Sequence, residues 1–224
     1  MSDILNRIFH EMFPFVRYLR SRSAIMKELN SFAPGRLPQE GPILDAVRAY
    51  CSAKPADLEE ALIAQQARAI AVDEKTFRHA GSIATILAVA SAATTAVAQL
   101  LSSPSWKVAV TMSTLMAIIY VMIGGLIGIS AARTLPGYGT GIRFRIEQDT
   151  EIPARKPYVL AEALACQERM NNIRVARNEA AFMSIRNGLI FIGIAICAVL
   201  LGAQFASKVD GLELKVWPAS LQLI

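Results

Sequence analysis

Charged residues are scarce in this sequence. Asp, Glu, Lys and Arg make up 18% of 224 residues, against 54% hydrophobic. Soluble globular chains carry about a quarter charged residues. The deficit is concentrated in three runs with no Asp, Glu, Lys, Arg or His: residues 81–101, 108–132 and 188–206. That absence counts against proton or ion relays through the runs, which need Asp, Glu, Lys, Arg or His inside them. Cysteine is also sparse. Cys51, Cys166 and Cys197 are odd in number and widely spaced, which excludes a disulfide framework or a metal-ligand spacing. The two histidines, His10 and His79, are isolated, and neither HExxH nor GxSxG occurs. The acidic pairs fall on solvated helix faces. No catalytic residue, cofactor site or metal site is therefore expected, and the chain reads as no enzyme.

What is present is length without charge. A helix rises about 1.5 Å per residue, so each run approaches the ~30 Å of a bilayer's hydrocarbon core. The alternative is a soluble bundle burying three all-round apolar helices, as colicin-like pore domains bury a hairpin. That needs many amphipathic wrapping helices, and much of the remaining sequence looks like loop. The expected fold is an all-α integral membrane protein. It has three transmembrane helices, helical cytoplasmic extensions and a short β-like segment near 141–147.

Basic residues orient it. Eleven Lys and Arg fall in residues 1–80 and nine in 133–187, but the 102–107 turn holds only Lys107 and the tail only Lys208 and Lys215. The positive-inside bias puts the first two regions in the cytoplasm. Arg78, Arg133, Arg177 and Arg186 flank the runs as topology anchors, with Arg186 able to snorkel toward headgroups. The net charge of +5 follows from this bias and attraction to anionic lipid; it is no nucleic-acid footprint. No cleavable signal peptide is expected, since Asp3, Glu11 and Glu28 interrupt the first 30 residues.

The resulting organisation has five parts. A cytoplasmic helical region with an amphipathic N-terminal helix spans 1–80, and a transmembrane hairpin spans 81–132. A cytoplasmic loop and long helix occupy 133–187, the third transmembrane helix 188–206, and an extracytoplasmic tail 207–224. In the N-terminal helix, Ile4, Leu5, Ile8, Phe9, Met12 and Phe13 share one face. That face either lies in the membrane interface or docks on the cytoplasmic region. Residues 33–42 are loop, punctuated by Pro and Gly. Gly137, Gly139 and Gly141 precede alternating Ile142, Phe144 and Ile146, in the wrong order for a phosphate-binding loop. From Tyr158 a helix pattern runs unbroken into the third span, with Gly188 a candidate kink. The stretches LEEALIAQQ (58–66) and LAEALACQE (160–168) match at five of nine positions, and both lead toward a span, as two parallel stalks would.

Packing signals lie inside the spans. Ala84, Ala88, Ala92 and Ala96 recur every four residues along the first, and Gly124 and Gly128 form a GxxxG pair in the second. Small residues at this spacing let helix backbones approach closely in lipid, within one chain or between subunits. Ser91, Thr95 and Gln99 fall at i, i+4 and i+8 on a neighbouring face. They either line a water-filled path in an oligomer or bond the carbonyl four residues back.

The hairpin at 81–132, its flanking helices, and ACQERMNNIRVARNEAAFMSIRNG leading into a hydrophobic segment resemble bacterial defence effectors of the SLATT type. The resemblance is one of architecture. It implies antiviral defence by an oligomer that perforates the inner (plasma) membrane when triggered, with the N-terminus cytoplasmic and the C-terminus outside. It transfers no site residues, and the third span departs from it. A second reading makes the chain a scaffold subunit of a larger membrane complex, docking through Arg169, Arg174, Arg177 and the N-terminal helix. The expected partners are the lipid bilayer and either further copies of the chain or another membrane protein.

Overall fold

The computed structural model describes residues 9–31, 41–99, 101, 103–132, 135, 137–139 and 156–213. Among these residues five α-helices are bounded at both ends: α1 (Pro14–Ser31), α2 (Pro42–Tyr50), α3 (Pro55–Ala98), α4 (Pro104–Ile129) and α5 (Lys156–Glu213), and residues 9–12 are helical ahead of α1. A 3-10 turn, Ser130–Ala132, extends α4. Proline opens four of them and stands second in α5 as Pro157. Its missing N–H lies where a helix has no acceptor to offer, and its fixed φ is already helical. Gly41 precedes α2 with φ 145°, a backbone conformation that side chains disfavour.

Among the described residues there is no strand, and the β-like segment expected near 141–147 lies outside them. The three expected spans fall in α3, α4 and α5, each long and apolar enough to cross a membrane. α5 begins two residues before Tyr158 and continues past 206.

The chain divides into two compact units: residues 1–81 with 124–183, and 82–123 with 184–224. The first unit is built around α5. From Val159 to Ile185 that helix is buried on most of its circumference, with Leu160, Met170, Ile173 and Ala181 fully enclosed. α3 lies beside it in the same direction: Gln65 meets Asn171, and Thr76 meets Asn178. Leu58, Leu62, Ala69 and Thr76 form its buried stripe at helical spacing. The second helix of the pair is therefore no solvated stalk but the centre of the unit. α1 runs antiparallel to α5, pinned by Arg17 to Glu179 at 3.4 Å and Arg169 to Glu28 at 3.5 Å. α2 buries Ile43, Leu44 and Val47, and the Tyr50 hydroxyl donates to Glu168 at 2.7 Å.

The second unit packs α4 antiparallel to α5. Tyr120 stacks on Phe191 with ring centroids 5.7 Å apart. Ala98, Leu101, Val110, Ala195 and Ala198 form its core, joined by Trp106 and Val199. Two glycines make the approach possible. A Cβ on Gly188 would lie 2.9 Å from Val121 Cγ2 and 3.3 Å from the Ala117 carbonyl oxygen. One on Gly202 would lie 3.0 Å from Trp106 Cγ. Outward, the unit leaves Ile86, Val89, Val108, Met112, Ile190 and Leu200 exposed. So much contiguous apolar surface is a liability in water and ordinary in lipid.

Candidate functional site

The first unit contains a ladder of buried and half-buried polar side chains along the seam between α3 and α5. On α5 the rungs are Gln167, Asn171, Arg174, Arg177 and Asn178; on α3 they are Gln65, Asp73 and Thr76. The spacing from Gln167 through Asn171 and Arg174 to Asn178 is four, three, four, which holds one helix face toward a neighbour. Arg177 completes the same seam one turn beyond Arg174.

Asp73 is the ladder's only carboxylate and receives two guanidinium groups. Arg174 Nε donates to Oδ2 at 3.1 Å, and Arg177 Nη2 donates to Oδ1. The arginines are 4% and 2% exposed, so neither is solvated. One negative charge cannot balance two positive ones. The remainder is met by carbonyl oxygens where α4 ends: Arg177 Nη1 donates to Ser130 O at 3.1 Å, and Arg174 Nη2 to Leu135 O at 3.3 Å. Terminal helix carbonyls carry partial negative charge and lack intrahelical donors, so a buried guanidinium suits them. The cluster ties α3, α5 and the end of α4 at one point.

Below it, amides carry the seam. Asn171 Nδ2 donates to the Gln65 backbone oxygen at 2.9 Å and to Gln65 Oε1 at 2.8 Å. Asn171 Oδ1 accepts from Gln167 Nε2 and Arg174 Nη1, both at 3.1 Å. Two glutamines then hold a loop residue by its backbone. The Tyr138 N–H donates to Gln167 Oε1 and its carbonyl accepts from Gln66 Nε2, each at 2.9 Å. Next to it, Gly139 has φ +80°, and a Cβ there would lie 2.6 Å from Leu62 Cδ2. Glycine at this position is thus required both by its backbone angle and by close approach to α3.

Two weak acids near the seam are shifted toward their protonated forms. Burial, and then the field of Glu162, push the Cys166 thiol up to about 12. The hydrogen bond to Glu168, with burial, pushes Tyr50 up to about 12. Neither is poised for acid–base or nucleophilic work near neutral pH. Among the described residues no group of three or more His, Cys, Asp or Glu is placed to hold a metal ion. The arrangement can do one thing well, which is to lock three helix segments in a single register.

The residues singled out from sequence are dispersed. Arg177 is turned inward, 2% exposed. Arg174 is likewise no docking surface, while Arg169 is half-buried against Glu28. Arg78 is exposed and pairs with Glu74. Arg186 is exposed and its Nη2 donates to Asn187 Oδ1 at 3.3 Å; Arg133 lies outside the described residues. Ala84 is half-buried, whereas Ala88, Ala92 and Ala96 are exposed; Gly124 and Gly128 are buried. The alanine stripe is therefore open in the single chain. Ser91 is fully buried and donates to Leu87 O at 2.8 Å, and Thr95 donates to Ser91 O at 3.0 Å. Both hydroxyls back-bond along their own helix, and Gln99 is exposed.

Asp73 was the residue sequence reasoning missed as a partner for the arginines. The available signal was the four-three-four polar spacing on α5, which reads equally well as a solvated face. Comparison with protein-family models, curated proteins and solved structures returns no match for this chain.

Proposed function

We propose that this chain is a non-enzymatic integral membrane protein of the bacterial inner membrane, with its N-terminus cytoplasmic. It self-associates through the open face of α3 and permeabilises the bilayer when its cytoplasmic helices are engaged. The observation that carries this reading is the exposure of Ala88, Ala92 and Ala96 on one face of an apolar helix. Small side chains gain little contact from lipid tails but permit close helix approach, so another helix fits that face better than lipid does. The basic bias of residues 1–80 and 133–187 supports the orientation. The buried Asp73 cluster supports control from the cytoplasm, because α3 and α5 continue from it into their apolar stretches. The layout shared with SLATT-type effectors supports a role in antiviral defence.

The test is release of a trapped dye from liposomes containing the purified protein, with expression toxicity in cells as a second readout. Leakage and toxicity are expected; a protein that inserts but produces neither sinks the permeabilising role.

A scaffold role in a larger membrane complex is favoured by a different feature. Ile63, Ile70 and Phe77 are exposed at seven-residue spacing on the polar half of α3. An apolar heptad stripe outside the membrane suits a partner helix. Polar substitutions there should release a co-purifying membrane protein and leave dye leakage unchanged.

A further inference from the structure

We infer that the aromatic segment Phe9 to Phe15, which leads into α1, is a second membrane contact, seated in the headgroup–acyl boundary of an anionic leaflet. The inference rests on the reading of α3, α4 and α5 as membrane spans.

The direction of α1 is fixed by its two ion pairs. Arg17 meets Glu179 and Glu28 meets Arg169, so moving toward the start of α1 means moving up α5. Pro14, Arg17 and Tyr18 line one small cavity with Ala176, Glu179 and Met183. Along α5, the charge-free stretch begins at Gly188, five residues after Met183. At 1.5 Å per residue that is about 7 Å along α5.

The surface from Phe9 through α1 changes character along its length. Phe9, Met12, Phe13, Phe15 and Leu19 are all exposed. Beyond them the exposed side chains are Arg20, Arg22, Ser23, Ala24, Lys27 and Asn30. The buried face of α1 is Pro14, Tyr18 and Leu29, whereas Phe9 and Phe13 keep 43% and 46% of their surface exposed. Phe9 and Phe13 instead hold each other, with ring centroids 5.0 Å apart. Four aromatic and aliphatic side chains around one exposed carboxylate, Glu11, followed by arginines, suit an anionic membrane surface: rings enter the acyl boundary and the charged groups remain at headgroup level. Of the apolar face expected at the N-terminus, Ile4, Leu5 and Ile8 lie outside the described residues. The Tyr18 face docks on α5, and the Phe13 face meets lipid.

The experiment uses the full chain in vesicles of phosphatidylcholine and phosphatidylglycerol, with Trp106 and Trp217 replaced by Phe. A single reporter is introduced as Phe13→Trp, or as Phe9→Trp should the first variant fold poorly. Lipids brominated at upper acyl carbons should quench most of its emission, while aqueous acrylamide quenches little. Replacing phosphatidylglycerol by neutral lipid, or combining Arg20→Gln with Arg22→Gln, should reduce the bromolipid quenching. A reporter quenched by acrylamide and untouched by bromolipid overturns the inference. So does one shielded from both quenchers while Phe13→Cys chains form disulfide-linked pairs, which would make a second copy the occupant. Ile194→Trp in α5 is the control. If it too escapes bromolipid, the membrane reading has failed; if it alone is quenched, only the inference about α1 has.

Discussion

The carboxylate of Asp73 accepts a hydrogen bond from Arg174 Nε at 3.1 Å, across 101 residues of sequence. The same carboxylate binds Arg177, so a single side chain compensates two buried cations. Removing one partner of a buried pair leaves an uncompensated charge at a cost of about 3–5 kcal/mol. Asp73→Ala strands two guanidinium groups. Arg177→Met leaves Asp73 paired with Arg174 and places an apolar chain in an apolar surrounding. Thermal unfolding in detergent should therefore rank Asp73→Ala as clearly the more damaging. Equal losses would mean that the carboxylate is not the hub of the cluster.

Gly188 and Gly193 lie on the same helix and predict opposite outcomes. A side chain at Gly188 would strike Val121 and the Ala117 carbonyl, whereas nothing lies within 4 Å of a Cβ at Gly193. Gly188→Leu should destabilise by about 1–3 kcal/mol through overpacking. Gly193→Ala should be neutral or slightly stabilising, since Ala is favoured over Gly in helices by up to about 1 kcal/mol. Melting temperatures of the two variants decide the matter.

Gly139→Ala tests the strapped loop. The left-handed backbone costs a residue with Cβ about 1–2 kcal/mol, and displacement of Leu62 adds to it. Protection of the Tyr138 amide from hydrogen exchange should fall in this variant more than protection of α4. If exchange at Tyr138 is unchanged, the glutamine clamp does not hold the loop.

Alkaline pH should unfold the first unit. The folded chain raises the Cys166 thiol from an ordinary 9.0 to about 12, chiefly by burial. It raises the Tyr50 hydroxyl from 10.0 to about 12, chiefly through its hydrogen bond to Glu168. The fold favours both protonated forms. Their contribution is complete below the ordinary values and is lost as pH climbs toward 12. Denaturant midpoints should decline from about pH 9 upward, and Cys166→Ala with Tyr50→Phe should flatten that decline even where it lowers the plateau.

Self-association through α3 has a positional signature. With Cys51, Cys166 and Cys197 replaced by Ala, a single Ala92→Cys should cross-link between chains in vesicles. Ser91→Cys, one residue away but buried and back-bonded, should not. Equal cross-linking at both positions would point to random collision.

The sequence by itself determined the three apolar helices and the joints where polar chain becomes apolar. Those properties depend on composition and a single period along one segment, and lipid-length runs without charge have few other solutions. The parallel course of α3 and α5 was also foreshadowed in the 58–66 and 160–168 match, since both stretches bury the same leucines, Leu58 and Leu62, Leu160 and Leu164. Only the tertiary structure decided which polar residues face inward. Arg174, Arg177 and Asn171 have the composition of a solvated helix face, and nothing local distinguishes them from Arg186 or Asn172. Their burial depends on Asp73 and Gln65, more than a hundred residues earlier, and on carbonyls where α4 ends. Pattern along a helix shows that a face is polar; what covers that face is set by another segment arriving beside it.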